Sequence, residues 1–471
     1  MRSTFSPPLR AHLARPVGMS LALAGLLRYE SYGHRQVFDR WSYTFTLALL
    51  GFGILWALTL ISSARKWRHS RGKSSAHGYC VDLALLAWGA GYLLASLDRR
   101  DDAGRLLDFN FVGSTTASAA LLEWLALALL FVAAAFWALP RLRHWSANGL
   151  LVAFSVGACL VAGEGIARCV MLVRPQTRSF GGYSTSIWLR RHAQLNRDGF
   201  RDVDHDLVPS TPRHRLLIIG DSFAYGWGID DVHDRFGEQV GSRLTSESSE
   251  PWEAMNASAP GKNTLTEIDL LRHELQYHPD IVVLLYVFND IEYLRPVTLQ
   301  NVISEAPESF AQRAHPLRVL YKNSYLFQEL YVRMLALRGL VRGDSAFGLK
   351  AYEDSAAVTA HLKDLTRFVK IAEQAGATAV VVPFDPAVAA SRAARERDES
   401  FARRAIAAGV PILSVEPAFL GRPISQLTLN ALDSHPSVMA NHLAAATAVQ
   451  RLEQRWYAAH RHTNVPSHHH A

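Results

Sequence analysis

Four short polar stretches of this chain hold side chains able to do chemistry: Gly220-Asp221-Ser222, Asn256 to Gly261, Asn289-Asp290 and Asp433-Ser434-His435. A serine hydroxyl is almost wholly protonated at neutral pH, so it attacks a substrate only with a base beside it. A histidine can take that proton and later return it. Each stretch also has an ordinary reading. A serine or aspartate after a strand caps the next helix, an Asn-Asp pair ends a strand in a turn, and a His-Pro pair lies in a loop. The elements around the four stretches decide between these readings.

Those elements alternate. Strands are expected at 214–219, 252–258, 280–287 ("DIVVLLYV"), 377–384 and 410–415, and helices at about 234–246, 264–277, 356–374 and 440–458. Leu265, Ile268, Leu271 and Leu275 share one helical face, as do Leu362, Leu365, Val369 and Ala372. Continuous apolar strands of this kind lie buried on both faces of parallel sheets. Strands alternating with such helices predict a doubly wound parallel sheet. Ligands of such sheets bind beyond the carboxyl ends of the strands. Three of the four polar stretches end a strand there, and the fourth precedes the last helix.

The first 175 residues read differently. Four runs, about 43–63, 78–97, 119–139 and 149–173, reach the roughly 20 apolar residues that a spanning helix needs. This predicts a membrane region over 1–174, a linker and lead-in segment over 175–213, and an α/β domain over 214–462 with an insertion at about 292–355. Loop 64–77 carries Arg65, Lys66, Arg68, Arg71 and Lys73 without an acid, and loop 140–148 carries Arg141 and Arg143. The positive-inside rule puts both loops in the cytoplasm and everything after the fourth helix outside. The apolar segment 17–27 lacks a small-residue cleavage site and is expected as an interfacial or half-buried helix. Glu164 and Arg168 are expected as an i,i+4 pair facing neighbouring helices.

Composition narrows the function classes. The net charge is +7, but the α/β half has no long Lys/Arg run, so the charge is not a nucleic-acid footprint. Cys80, Cys159 and Cys169 all lie in or beside apolar runs, with neither disulfide nor zinc spacing.

In order and placement the four stretches resemble the SGNH/GDSL hydrolase superfamily, over roughly 195–460. The resemblance implies a flavodoxin-like three-layer fold and gives Ser222 the role of nucleophile. It assigns Gly261, in "NASAPGKNT", and Asn289, in "YVFND", to the oxyanion hole with the backbone N–H of Ser222, and it makes Asp433 and His435 the rest of a catalytic triad. Asp433 would hold the imidazole tautomer while His435 serves as base. Two departures stand out. Val287 occupies a position where the family usually has glycine, and the acid and histidine are spaced Asp-x-His rather than Asp-x-x-His. The lead-in "NRDGFRD", 196–202, resembles that of membrane-anchored members.

The function this implies is a serine hydrolase or O-acyltransferase anchored in the cytoplasmic membrane. Its catalytic domain would lie in the periplasm or outside and act on O-acyl, above all O-acetyl, esters of envelope or exported carbohydrate. The expected partners are that ester substrate and the lipid bilayer. No cofactor, metal or nucleic acid is expected, and the residues point to no protein partner. Alternatives are a lipid esterase of the same mechanism and a non-catalytic envelope assembly or export factor. Tyr225 and Trp227 either line the pocket or pack beneath the loop. Asp290 reads as a surface acid and Asp385 as a turn residue. The amphipathic stretch 323–342 covers the site, lies on the membrane or docks on the membrane helices.

Overall fold

The computed structural model describes residues 11–27, 36–37, 41–69, 76–98, 117–142, 144–177, 182–209, 211, 213–247, 250–294, 317–337, 351–431 and 433–460. Much of the expected insertion and of the loops at 64–77 and 98–118 lies outside these residues, as does His468-His469-His470. The chain forms two compact units. One contains Met1–Pro175, Gly182–Ile187 and Ala311–Tyr331; the other contains Gln176–Gly181, Trp188–Phe310 and Val332–Ala471.

The first unit is helical: α1 (Ala11–Leu27), α2 (Tyr43–His69), α3 (Ala76–Asp98), α4 (Ala117–Ala138) and α5 (Ala147–Val173), followed by the start of α6 (Tyr183–His192). Among the described residues three helical stretches are long and apolar enough to cross a membrane: Gly78–Ser96, Ala117–Ala138 and Ala147–Val173. The fourth expected span, 43–63, lies in α2, of which Thr46–Ser62 is the described apolar part. Segment 17–27 belongs to α1, which packs on α3. A side chain at Gly18 would run into the Leu85 carbonyl, and one at Gly89 into that of Gly18. Small residues at such crossings let helix backbones approach closely.

Glu164 and Arg168 form the expected pair at 2.7 Å, and both are buried. Arg168 Nη1 also reaches the Ala120 carbonyl (3.0 Å) and Glu123 Oε2 (3.2 Å) on α4. Glu164 accepts two backbone N–H groups, of Tyr325 (3.1 Å) and Leu326 (3.0 Å), and the Ser324 hydroxyl (2.7 Å). A carboxylate is well placed there, at a helix N-terminus whose orphan N–H groups it satisfies. The helix it caps follows the short α10 (Arg318–Asn323) and is α11 (Tyr325–Leu337). The Tyr325 ring stacks on Tyr183 at 4.2 Å and lies under Arg168. Of the three readings open for 323–342, docking on the apolar helices is the one seen for residues 324–326.

The second unit is a three-layer α/β domain. Its parallel sheet has the order β2-β1-β3-β4, with β1 His214–Gly220, β2 Trp252–Ser258, β3 Ile281–Tyr286 and β4 Thr378–Pro383. Side chains alternate between the faces of each strand. Leu217, Ile219, Val282, Leu284 and Val381 therefore face a layer formed by α9 (Thr264–Glu274), α12 (Ser355–Gln374) and α13 (Arg392–Ala407). Leu216, Ile218, Val283, Leu285 and Val382 face the opposite layer of α8 (Phe236–Glu247) and α15 (Val438–His460). The remaining helices are single turns, α7 (Ser222–Tyr225) and α14 (Ile424–Leu427).

Helices α6 and α13 were not expected from the sequence, and two further elements differ from expectation. The strand at 410–415 is reduced to one parallel bridge, Ile412 with Val381, because Pro411 has no N–H to give the ladder. The stretch read as a His-Pro loop is instead an antiparallel ribbon, in which β6 (Asp433–Pro436) pairs with β5 (Thr428–Asn430).

Glu164 holds one buried cation and three further donors in the helical unit. Glu164→Ala would leave the buried Arg168 guanidinium with Glu123 as its one carboxylate partner among the described residues and strand three other donors, at a cost of roughly 3–5 kcal/mol. Melting of the full chain in detergent should fall accordingly, and an unchanged melting temperature would show the cluster to be energetically idle.

Candidate active site

β1 is the inner strand between β2 and β3. The loops leaving its two neighbours, which carry Gly261 and Asn289, therefore flank its carboxyl end on either side. Gly220 is required at that end, since a Cβ there would lie 3.0 Å from the Leu285 carbonyl and 2.8 Å from the Ala224 methyl. The chain then enters α7. Asp221 caps it, its carboxylate accepting the Phe223 N–H at 2.8 Å. Ser222 is the first helical residue, and Gly226 in the left-handed region (φ 72°) closes the turn. Both readings of Gly-Asp-Ser are thus realised, by different residues: Asp221 caps, and Ser222 is left to face elsewhere.

It faces His435. Ser222 Oγ lies 2.9 Å from His435 Nε2, and His435 Nδ1 lies 2.5 Å from Asp433 Oδ1. A carboxylate can only accept, so this pairing puts a proton on Nδ1 and leaves the Nε2 lone pair for the serine. The short Asp-x-His spacing works because β6 is extended. Residues i and i+2 of a strand share a face, and proline after His435 favours extended backbone. Asp433 is buried and His435 partly so. The rings of Phe223 and Trp227 lie 5.2 and 5.8 Å from the imidazole. Trp227 is therefore at the site, while Tyr225 is buried beneath the loop.

Gly261 and Asn289 are not hydrogen-bonded to this triplet. Gly261 adopts φ 75°, which favours glycine, and a Cβ there would meet nothing within 4 Å. Its glycine follows from backbone conformation, not crowding. The Asn289 side chain hydrogen-bonds Asp221. Asp290 is fully buried, not a surface acid, and its Oδ2 accepts the Val287 N–H at 2.9 Å. Asp385 caps the turn after β4, accepting the Ala387 N–H at 2.8 Å. Among the described residues no cluster of His, Cys, Asp and Glu has the arrangement to hold a metal ion.

Residues 218–443 match the GDSL-like Lipase/Acylhydrolase family. This region is a GDSL-like acylhydrolase domain. Among solved structures it is similar to TesA, at 16% identity over 53% of this chain and 98% of that one (TM-score 0.30). It is similar also to a catalytic mutant of Axe2, an acetylxylan esterase from Geobacillus stearothermophilus, at 13% identity over 52% and 95% (TM-score 0.32). A third is the lipase Lip_vut3 from a goat rumen metagenome, at 12% identity over 51% and 97% (TM-score 0.32). No curated protein matches the chain.

Sequence reasoning passed over two residues of this domain. Arg201, in the lead-in segment, is 1% exposed. Its guanidinium donates to the carbonyls of His192 (2.7 Å), Tyr225 (3.3 Å), Gly226 (2.8 Å), Ile229 (2.6 Å) and Asp230 (3.2 Å). It thus ties down the loop after α7 that carries Trp227. Burial, reinforced by nearby Arg235, lowers its pKa to about 10, so it stays charged at neutral pH. The available signal was its place in "NRDGFRD". A lysine cannot reproduce this fork. Arg201→Lys should orphan several buried carbonyls, at about 1–3 kcal/mol each. Hydrogen–deuterium exchange should rise at 225–230, and exchange unchanged there would refute the clamp.

Glu267, in the first turn of α9, is fully buried with both carboxylate oxygens unpartnered. Burial above all, then the charge of Asp221, pushes its pKa well up. Burial likewise raises Asp221. A carboxyl raised in the fold binds more protons folded than unfolded. Its contribution is whole below the unfolded value and drains away as pH climbs toward the folded one. Glu267→Gln should therefore gain melting temperature over the native chain as pH goes from about 5 to about 9. A difference independent of pH would mean that Glu267 does not titrate across that range.

Proposed function

We propose that this protein is a membrane-anchored serine ester hydrolase or acyltransferase that works through an acyl-enzyme on Ser222. The observation that carries the reading is the hydrogen-bonded chain Ser222 Oγ–His435 Nε2, His435 Nδ1–Asp433 Oδ1. As Ser222 Oγ attacks the ester carbonyl carbon, His435 takes its proton. The imidazolium formed is stabilised by Asp433, and the proton passes to the leaving alkoxide. The oxygen of the tetrahedral intermediate is negative and needs donors fixed in advance; the backbone N–H groups of Ser222 and Gly261 and the Asn289 amide are assigned that part. Water then releases the acid. A sugar hydroxyl entering instead makes the same site an acyltransferase.

The loop charges at 64–77 and 140–148 support a domain outside the cytoplasmic membrane. An enzyme tethered there meets envelope and exported polymers, and O-acyl groups, acetyl first, on carbohydrate are the esters assigned to it.

One experiment tests nucleophile and orientation together. A membrane-impermeant fluorophosphonate added to intact spheroplasts should label the native chain and not Ser222→Ala. Labelling that persists in Ser222→Ala removes Ser222 from the mechanism, and labelling only after lysis reverses the topology. Asp433→Asn should keep its melting temperature and lose p-nitrophenyl acetate turnover by up to ~10⁴-fold, as expected for the wrong imidazole tautomer. Nearly full activity would reduce the site to a Ser–His dyad.

A further inference from the structure

Away from the catalytic residues, a groove of about 620 Å³ runs along the outer side of α12. Lys363, Arg367 and Lys370 of α12 and Arg272 of α9 line it, with the hydroxyl residues Thr359 and Thr366 between them. Leu362 and the half-buried Ile371 form its floor. Its volume falls in the ~300–1,000 Å³ range of small-ligand sites.

A cationic helix face is ordinarily a solvated one, balanced by acids at i+3 or i+4. Here Lys363 and Arg367 are like charges at i,i+4, and Arg367 and Lys370 at i,i+3. Like charges at these spacings destabilise a helix. Among the described residues none of the three is in an ion pair; only Arg272 has one, with the exposed Asp269. Asp364, three residues before Arg367, accepts the Tyr293 hydroxyl at 2.6 Å, and Glu373, three after Lys370, forms no ion pair with it among the described residues, so the like charges are only partly offset and a bound anion would relieve them. The cations recur about every turn, some 5.4 Å along the axis, which suits a ligand with repeated anionic groups.

We infer that this groove is an accessory binding site for an anionic polysaccharide, one bearing carboxylate or phosphate groups, which it would hold while the ester is presented at Ser222. The carbohydrate character of the ligand rests on the function proposed above; the groove's charge does not. A bilayer surface fits less well, since α12 has no exposed large apolar side chain to insert. Nucleic acid fits less well too, because no aromatic ring lines the groove to stack on bases.

The test uses the full chain in detergent with polygalacturonate as probe and neutral dextran as control. The native chain should bind polygalacturonate and not dextran, with affinity falling as salt rises. Lys363→Gln/Arg367→Gln/Lys370→Gln should weaken binding about tenfold or more, through loss of its charge-assisted contacts, and leave p-nitrophenyl acetate turnover unchanged. Equal binding by the triple variant, or no binding by the native chain, overturns the proposal. So does groove-dependent binding of phosphatidylglycerol vesicles or duplex DNA without binding of polygalacturonate. Groove-dependent binding without Ser222-dependent turnover would leave the groove standing and sink the hydrolase reading instead.

Discussion

The parallel pairing of β1 with β2 on one edge and β3 on the other decides where everything else in the α/β domain must be. Parallel strands end at the same side of a sheet, so three loops converge where β1 stops. The serine at that stop then has neighbours from both flanks without any contact made for the purpose. β1 can hold this position because it is buried on both faces: Leu216 to Ile219 are at most 1% exposed. The two helical layers that bury it also supply α15, whose lead-in ribbon brings His435 to Ser222 across 213 residues of chain.

Local geometry then aims the groups. Asp221 spends its carboxylate on the α7 cap and on Asn289 and lies 3.4 Å from the Ser222 hydroxyl, while His435 Nε2 is nearer that hydroxyl, at 2.9 Å. On the other side of the imidazole, the extended ribbon turns a spacing of two residues into a hydrogen bond. The departure from the usual family spacing is therefore accommodated by backbone conformation, and Asp433 keeps the position that a triad acid needs.

Buried charge recurs as the means of holding irregular backbone. Arg201 spends its donors on five carbonyls of segments that lack regular partners, and Glu164 spends its acceptors on the opening turn of α11. Loops and helix ends leave backbone groups unsatisfied, and burying them unpaired is costly. One multivalent side chain answers several such groups at once. Each of the two sits within its own compact unit.

The α/β alternation, the positions of the four strands and of α8, α9, α12 and α15, and the candidates Ser222, His435 and Asp433 were legible in the chain; α13 was not. They rest on short-range periodicity and on residue types that mark strand ends. The helix boundaries, too, lay within a few residues of those seen. What the sequence could not decide depended on distant partners. Whether Asp-x-His could work turned on β6 pairing with β5. Whether Asp290 was exposed turned on the packing behind β3, and whether 410–415 made a strand turned on Pro411 meeting β4. Arg201 and Glu267 read locally as an ordinary lead-in arginine and a helix acid. Their burial is a property of tertiary packing, which brings together groups that no local pattern records.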